Sequence, residues 1–111
     1  MANTTYKVLG QALTASTANA DLYTVPASTE VIVSTLTISN VTATAATARV
    51  FIRVAGAAAA TSNAILYDVS IPGNSVQAFT LGITLAATDK ITVQNGTSSA
   101  LTFQAFGAEL A

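Results

Sequence analysis

The groups in this 111-residue chain that could do chemistry are few and spread out. Five carboxylates (Asp21, Glu30, Asp68, Asp89 and Glu109) face four cations (Lys7, Arg49, Arg53 and Lys90), and there is neither histidine nor cysteine. General acid–base work needs a positioned pair of titratable groups. The carboxylates are scattered and sit mostly near expected strand ends, so they read as solvated or turn-capping residues. A serine or threonine nucleophile has no histidine to activate it; a lysine base would have to be Lys7 or Lys90, and neither lies in a recognisable motif. Calcium could draw on Asp68, Asp89 and backbone carbonyls, but no segment has the dense Asp/Asn/Gly pattern of a calcium loop. With no thiols, disulfides and thiolate zinc sites are excluded. The expectation is a protein that is not an enzyme, with no catalytic residue, no resident metal and no cofactor.

The most distinctive cluster is Arg49, Phe51 and Arg53. Alternate residues of a strand project from one face, so the three would stand side by side. Arg and Phe are enriched at protein interfaces, which makes the trio a candidate subunit contact. The competing reading is an exposed sheet face with extended arginines, or arginines paired locally with Asp68.

Composition limits the partners. Charged residues make up 8 % of the chain, while Ala, Thr and Ser fill 50 of the 111 positions. A surface of hydroxyls and methyls packs against a neighbour with few ions to strip of water, which favours a subunit of an assembly. Four cations and a net charge of −1 provide no footprint for nucleic acid. No apolar run reaches membrane-spanning length; the nearest, from Val41 to Ala60, contains Arg49 and Arg53. Ala18-Asn19-Ala20 superficially suits a signal peptidase, but Gln11 and Thr14 interrupt the apolar stretch before it. Asn-x-Ser/Thr matches at Asn3, Asn40 and Asn95 are expected by chance in a chain this rich in threonine.

These residues must be positioned by strands. Turn signals recur every 8 to 12 residues or so, the spacing of a sandwich or barrel of short strands. Strands are expected at 6–13, 21–25, 30–40, 47–55, 64–71, 75–81, 89–95 and 100–110. Within 30–40, straight alternation puts Ile32, Ser34, Leu36 and Ile38 on one face. Within 47–55 it turns Val50, Ile52 and Val54 inward, and within 64–71 it groups Ile65, Tyr67, Val69 and Ile71. The short connection 41–46 makes 30–40 and 47–55 a plausible antiparallel pair. GAAAATSN (56–63) reads as a flexible loop tip, too short to nucleate a helix, and Asn95-Gly96 as the start of a turn. The expectation is an all-β, antiparallel two-sheet β-sandwich of about eight strands with jelly-roll-like or Greek-key connections. Residues 1–111 form one domain, with an extended N-terminal segment at 1–5.

Several segments carry a resemblance: YKVLGQ (6–11), DLYTVPASTE followed by VIVSTLTISN (21–40), TLGITLAATDKITV (80–93) and the closing LTFQAFGAEL (101–110). Together they resemble small virion structural proteins of tailed bacteriophages, in particular marine and cyanobacterial ones. None of the segments is a catalytic signature. The resemblance implies a non-enzymatic virion component, assembled in the bacterial host cytoplasm. It would be a capsid decoration or cement protein, a homotrimer bound to the major capsid protein or to other virion proteins. A tail, knob or baseplate component is the alternative, and a glycan-binding surface module a second one. The last lacks a tryptophan and has only three tyrosines from which to build an aromatic platform. Neither nucleic acid nor a membrane is expected as a partner.

Overall fold

A computed structural model describes residues 3–13 and 16–111. Among the described residues nine strands form in chain order: β1 (Thr4–Leu13), β2 (Ala20–Thr24), β3 (Glu30–Asn40), β4 (Ala46–Arg53), β5 (Ala64–Ile71), β6 (Val76–Phe79), β7 (Ile83–Leu85), β8 (Lys90–Asn95) and β9 (Leu101–Leu110). They build two antiparallel sheets. The larger runs β1-β9-β3-β6, with β7 also on β3, and the smaller runs β2-β8-β4-β5. β6 and β7 pair with successive parts of β3, so they act as one strand interrupted at 80–82. The eight strand-equivalents then pass from sheet to sheet at every connection except the β4–β5 hairpin, which is jelly-roll topology. The two-sheet sandwich expected from the turn spacing is therefore the fold, and β7 is the strand that the sequence pattern missed.

The expected pairing of β3 with β4 is wrong. β3 pairs with β9, β6 and β7, and β4 with β5 and β8. The 41–45 connection crosses between the sheets and is fastened by Asn40. The Asn40 Nδ2 donates to the carbonyls of Thr44 and Ile71 (2.9 and 3.0 Å), and its Oδ1 accepts from the Thr42 N–H and hydroxyl (2.9 and 2.7 Å). A short connection is ambiguous between a hairpin and a cross-sheet step; here a buried Asn that satisfies the bend's own backbone groups decides for the latter.

Bulges decide which side chains enter the core. In β3 the register shifts between Val33 and Thr35, so the buried set is Val31, Val33, Leu36 and Ile38, while Ile32 is exposed. Straight alternation had placed Ile32 with Leu36. One extra residue moves everything beyond it to the other face. Ser34, the extra residue, donates its hydroxyl to the Phe106 carbonyl (3.1 Å). Opposite it, Gly107 comes so close that a Cβ there would lie 2.0 Å from the Ile32 carbonyl oxygen, so only glycine fits. A second bulge in β5 separates Val69, opposite Ala48, from Leu66, opposite Val50. Leu66 and Val69 consequently pack toward the core, and Ile65 and Tyr67 face outward.

The core between the sheets centres on Phe103, Leu36, Ile38, Ile71, Ile91 and Leu101, all fully buried. The C-terminal strand is held on both flanks, by β1 and β3. Thr4 and Thr5, expected in an extended terminal segment, belong to β1 and pair with Leu110 and Glu109. The Asn3 N–H donates to the Ala111 carbonyl (2.5 Å). Residues 1–2 of that segment lie outside the described residues. β8 runs through Asn95, and the Gly96 N–H bonds the Thr47 carbonyl (2.8 Å). The left-handed residue of the following turn is Ser99, at φ 56°, not Asn95 or Gly96.

Candidate functional site

β4 sends Ala46, Ala48 and Val50 into the core, so Arg49, Phe51 and Arg53 do share the outer face of the smaller sheet, as the alternation predicts. Their cross-strand partners on β8 are Gln94, Thr92 and Lys90. Phe51, however, is not a solvent-facing contact. It is 5 % exposed and lies outside the central core cluster. The segment that follows β4 folds back over the sheet, and Ala59, Ala60 and Thr61 line with Phe51 the side of a hollow. Val54, expected inward, is 66 % exposed, because β4 ends at Arg53 and a short 3-10 turn, Val54–Gly56, takes over.

The 56–63 segment is braced rather than a free tip. Arg53 Nε and Nη2 donate to the carbonyls of Ala57 and Gly56 (2.7 and 3.1 Å). Asn63 Nδ2 donates to the Ala58 carbonyl and its Oδ1 accepts from the Ala60 N–H (3.0 and 3.1 Å). Ala55 adopts a left-handed backbone at φ 53°. Its N–H donates to Oδ1 of the buried Asp89 (2.8 Å), whose Oδ2 accepts from the Ala86 N–H (2.9 Å). One carboxylate thereby joins two turns.

Each arginine has a carboxylate partner of its own. Arg49 Nε and Nη2 bond Asp68 Oδ1 and Oδ2 (2.6 and 3.2 Å), a bidentate pair. Its guanidinium lies 4.1 Å from the centre of the Tyr67 ring, within cation–π range. The β5 bulge makes this possible: Asp68 sits at φ 56°, a conformation that Asp tolerates better than most residues. The hydrogen bonds from Arg49 hold the Asp68 carboxyl below its ordinary range and raise the arginine correspondingly. Arg53 Nη1 donates to Asp21 Oδ1 (3.1 Å), which also accepts from the Thr92 hydroxyl (2.8 Å), and Lys90 reaches Asp21 Oδ2 (3.4 Å). The Thr92 hydrogen bond, aided by Lys90 and Arg53, lowers Asp21.

Two residues further along β2, Tyr23 donates its hydroxyl to Glu109, which also pairs with Lys7 (3.3 Å). The Tyr23 hydrogen bond, with Lys7, lowers Glu109; burial and then Glu109 raise the tyrosine. Lys7 and Lys90, the two candidate bases, are thus engaged with carboxylates. Asp68 and Asp89, the candidate calcium ligands, bond different groups, and among the described residues no cluster of three or more metal-capable side chains forms. The local pairing with Asp68 that the sequence offered as the competing reading holds for Arg49, whereas Arg53 pairs with Asp21; what sequence reasoning missed is Tyr67 and Gln94 beside Arg49. The signal for the bulge that brings Tyr67 beside Arg49 was an Asp within a strand, a residue type that readily takes positive φ.

Around Arg49 and Gln94 two hollows adjoin, of about 140 and 370 Å³. The first is flanked by Thr17, Thr47 and Asp68, the second by Asn19, Tyr67 and Thr61. The arrangement can hold a polar molecule by hydrogen bonds. The outer face of the larger sheet differs in character: Tyr6, Ile32, Phe106 and Ala108 line a mostly apolar depression of about 400 Å³.

The sequence matches no described protein family and no curated protein. Among solved structures, the fold is similar to a chain in the structure of infectious bursal disease virus Gx strain, with a TM-score of 0.53 and 11 % identity. The match covers 98 % of this chain and 31 % of the viral one, so this chain spans about a third of its length. At that identity the likeness is one of fold.

Proposed function

We propose that this protein is a non-enzymatic structural component of a tailed-bacteriophage particle, a decoration protein that strengthens the head shell by repeated contacts. The observation that carries the reading is the jelly-roll sandwich, similar over almost its whole length to part of a virus chain. Jelly rolls serve as shell-building domains because two covered sheets form a rigid block with loops at both ends. The surface suits adhesion: few charges need desolvation, and Tyr6, at 83 % exposure, Val8 and Ile32 present apolar area on the larger sheet. At about 25 cal/mol per Å² of apolar surface, small contacts accumulate over many copies, although ordering costs remove much of the gain.

In this reading the protein is a trimer, works with the major capsid protein or another virion protein, and resides in the virion after assembly in the host cytoplasm. Immunogold labelling or a reconstruction of purified particles tests it. Label distributed over the head supports decoration; label confined to the tail replaces it with a tail or baseplate role; absence from particles refutes both. Light scattering of the purified chain tests the trimer, and a monomer at micromolar concentration would refute it in solution.

A further inference from the structure

We propose that the outer face of the smaller sheet carries a binding cleft for a neutral saccharide, centred on Arg49, Tyr67, Asp68 and Gln94. The inference goes beyond the structural role and does not rest on it. Space is the first requirement, and the two hollows that meet at Arg49 and Gln94, about 140 and 370 Å³, together reach the size of small-molecule sites.

The chemistry of the floor selects the ligand class. A guanidinium, a carboxylate and a carboxamide lie side by side, each planar and able to form two parallel hydrogen bonds. That matches neighbouring hydroxyls of a sugar ring, since each hydroxyl both donates and accepts. Capacity is left over: Asp68 uses two of its acceptor positions on Arg49, and Arg49 Nη1 makes only a long contact of 3.5 Å to Gln94. Because Arg49 and Asp68 cancel in charge, the cleft has no net attraction for phosphate or sulfate. The half-exposed Tyr67 ring, held by Arg49, gives apolar surface for the C–H groups of a sugar. This is the aromatic that the sequence by itself could not place.

The cleft is also built in advance of any ligand. Gln94 Nε2 is anchored on the Thr17 carbonyl (2.8 Å), and the opposite wall is braced by Asn63 and Arg53. The left-handed backbone at Asp68 turns Tyr67 and the carboxylate to the same face. Strain of this kind persists only where the surroundings enforce it, and it gathers at binding sites.

The test is an amide and side-chain NMR titration of the full chain with glucose, galactose, N-acetylglucosamine and lactose, with inorganic phosphate as the charged probe. We expect saturable shifts at the Gln94 carboxamide and the Arg49 Nε for at least one sugar. Tyr67→Ala and Asp68→Asn, checked for unchanged spectral dispersion, should each weaken that binding by about tenfold, the scale of one lost charged hydrogen bond or ring contact. Asparagine tolerates the φ of position 68, so that variant keeps the backbone. Silence with all four sugars, undiminished binding in both variants, or phosphate binding more tightly than the sugars would each overturn the proposal. None of these results bears on where the protein sits in a particle, so the two readings fail separately.

Discussion

Replacing Asp89 tests how the wall of the cleft is held. The carboxylate is buried and accepts two backbone N–H groups, from Ala55 and Ala86, one on each oxygen. Asp89→Ala leaves both donors without this partner. Hydrogen bonds to a charged acceptor contribute about 1.5–3 kcal/mol each, so a loss of roughly 3–6 kcal/mol is expected. Asp89→Asn keeps one carbonyl oxygen and places an NH2 against the other donor, so its loss should fall near the middle of that range or below it. Ala55 is additionally held at φ 53°, a conformation costing about 1 kcal/mol for a residue with a Cβ, and without the carboxylate the turn can relax. With a urea slope of about 1.5 kcal/mol/M, the unfolding midpoint should drop by about 2–4 M for alanine. Hydrogen exchange should accelerate at the amides of Ala55 and Ala86 beyond the global change. Equal losses for the two variants, or exchange at these two amides that follows the global change alone, would refute the role given to the carboxylate.

Three further outcomes follow from the same structure. Gly107→Ala sets a Cβ 2.0 Å from a backbone oxygen of β3, so two strands must separate; a loss of about 3 kcal/mol or more is expected by thermal unfolding, and a neutral result would show that the β3 bulge is misplaced. Phe51→Asp should unfold or strongly destabilise the isolated chain, because a carboxylate would be buried without a partner; a folded monomer defective only in assembly would restore Phe51 as an exposed contact. Asp21, Asp68 and Glu109 all have lowered folded-state pKa values, so their stabilisation is complete above the ordinary carboxylate value of about 4 and is lost as pH falls through the folded values. Tyr23 is raised, so its contribution is complete below about pH 10 and declines as pH rises beyond that. Tyr23→Phe should flatten the alkaline limb and reduce the Glu109 part of the acid one; pH–stability curves identical to those of the parent chain would contradict this.

The sequence by itself determined the class of fold. Threonine, valine and isoleucine on short alternating segments, separated by turn residues, can bury an apolar face only by stacking two sheets, and strand positions such as Glu30–Asn40 and Ala64–Ile71 were legible to the residue. It also put Arg49, Phe51 and Arg53 on one face, because period-two geometry within a single strand is local. What it could not determine was anything that depends on one extra residue or on a distant partner. The bulges at Ser34 and at Tyr67–Asp68 reverse which side chains are inside, and they are set by the strands alongside, where Gly107 and Val50 fix the register. The same holds for the cover over Phe51, which comes from a loop whose start at Ala55 is tied to Asp89, 34 residues further on. Local periodicity wrote the strands; long-range hydrogen bonding chose their neighbours, and with them the Arg49–Tyr67–Asp68–Gln94 surface.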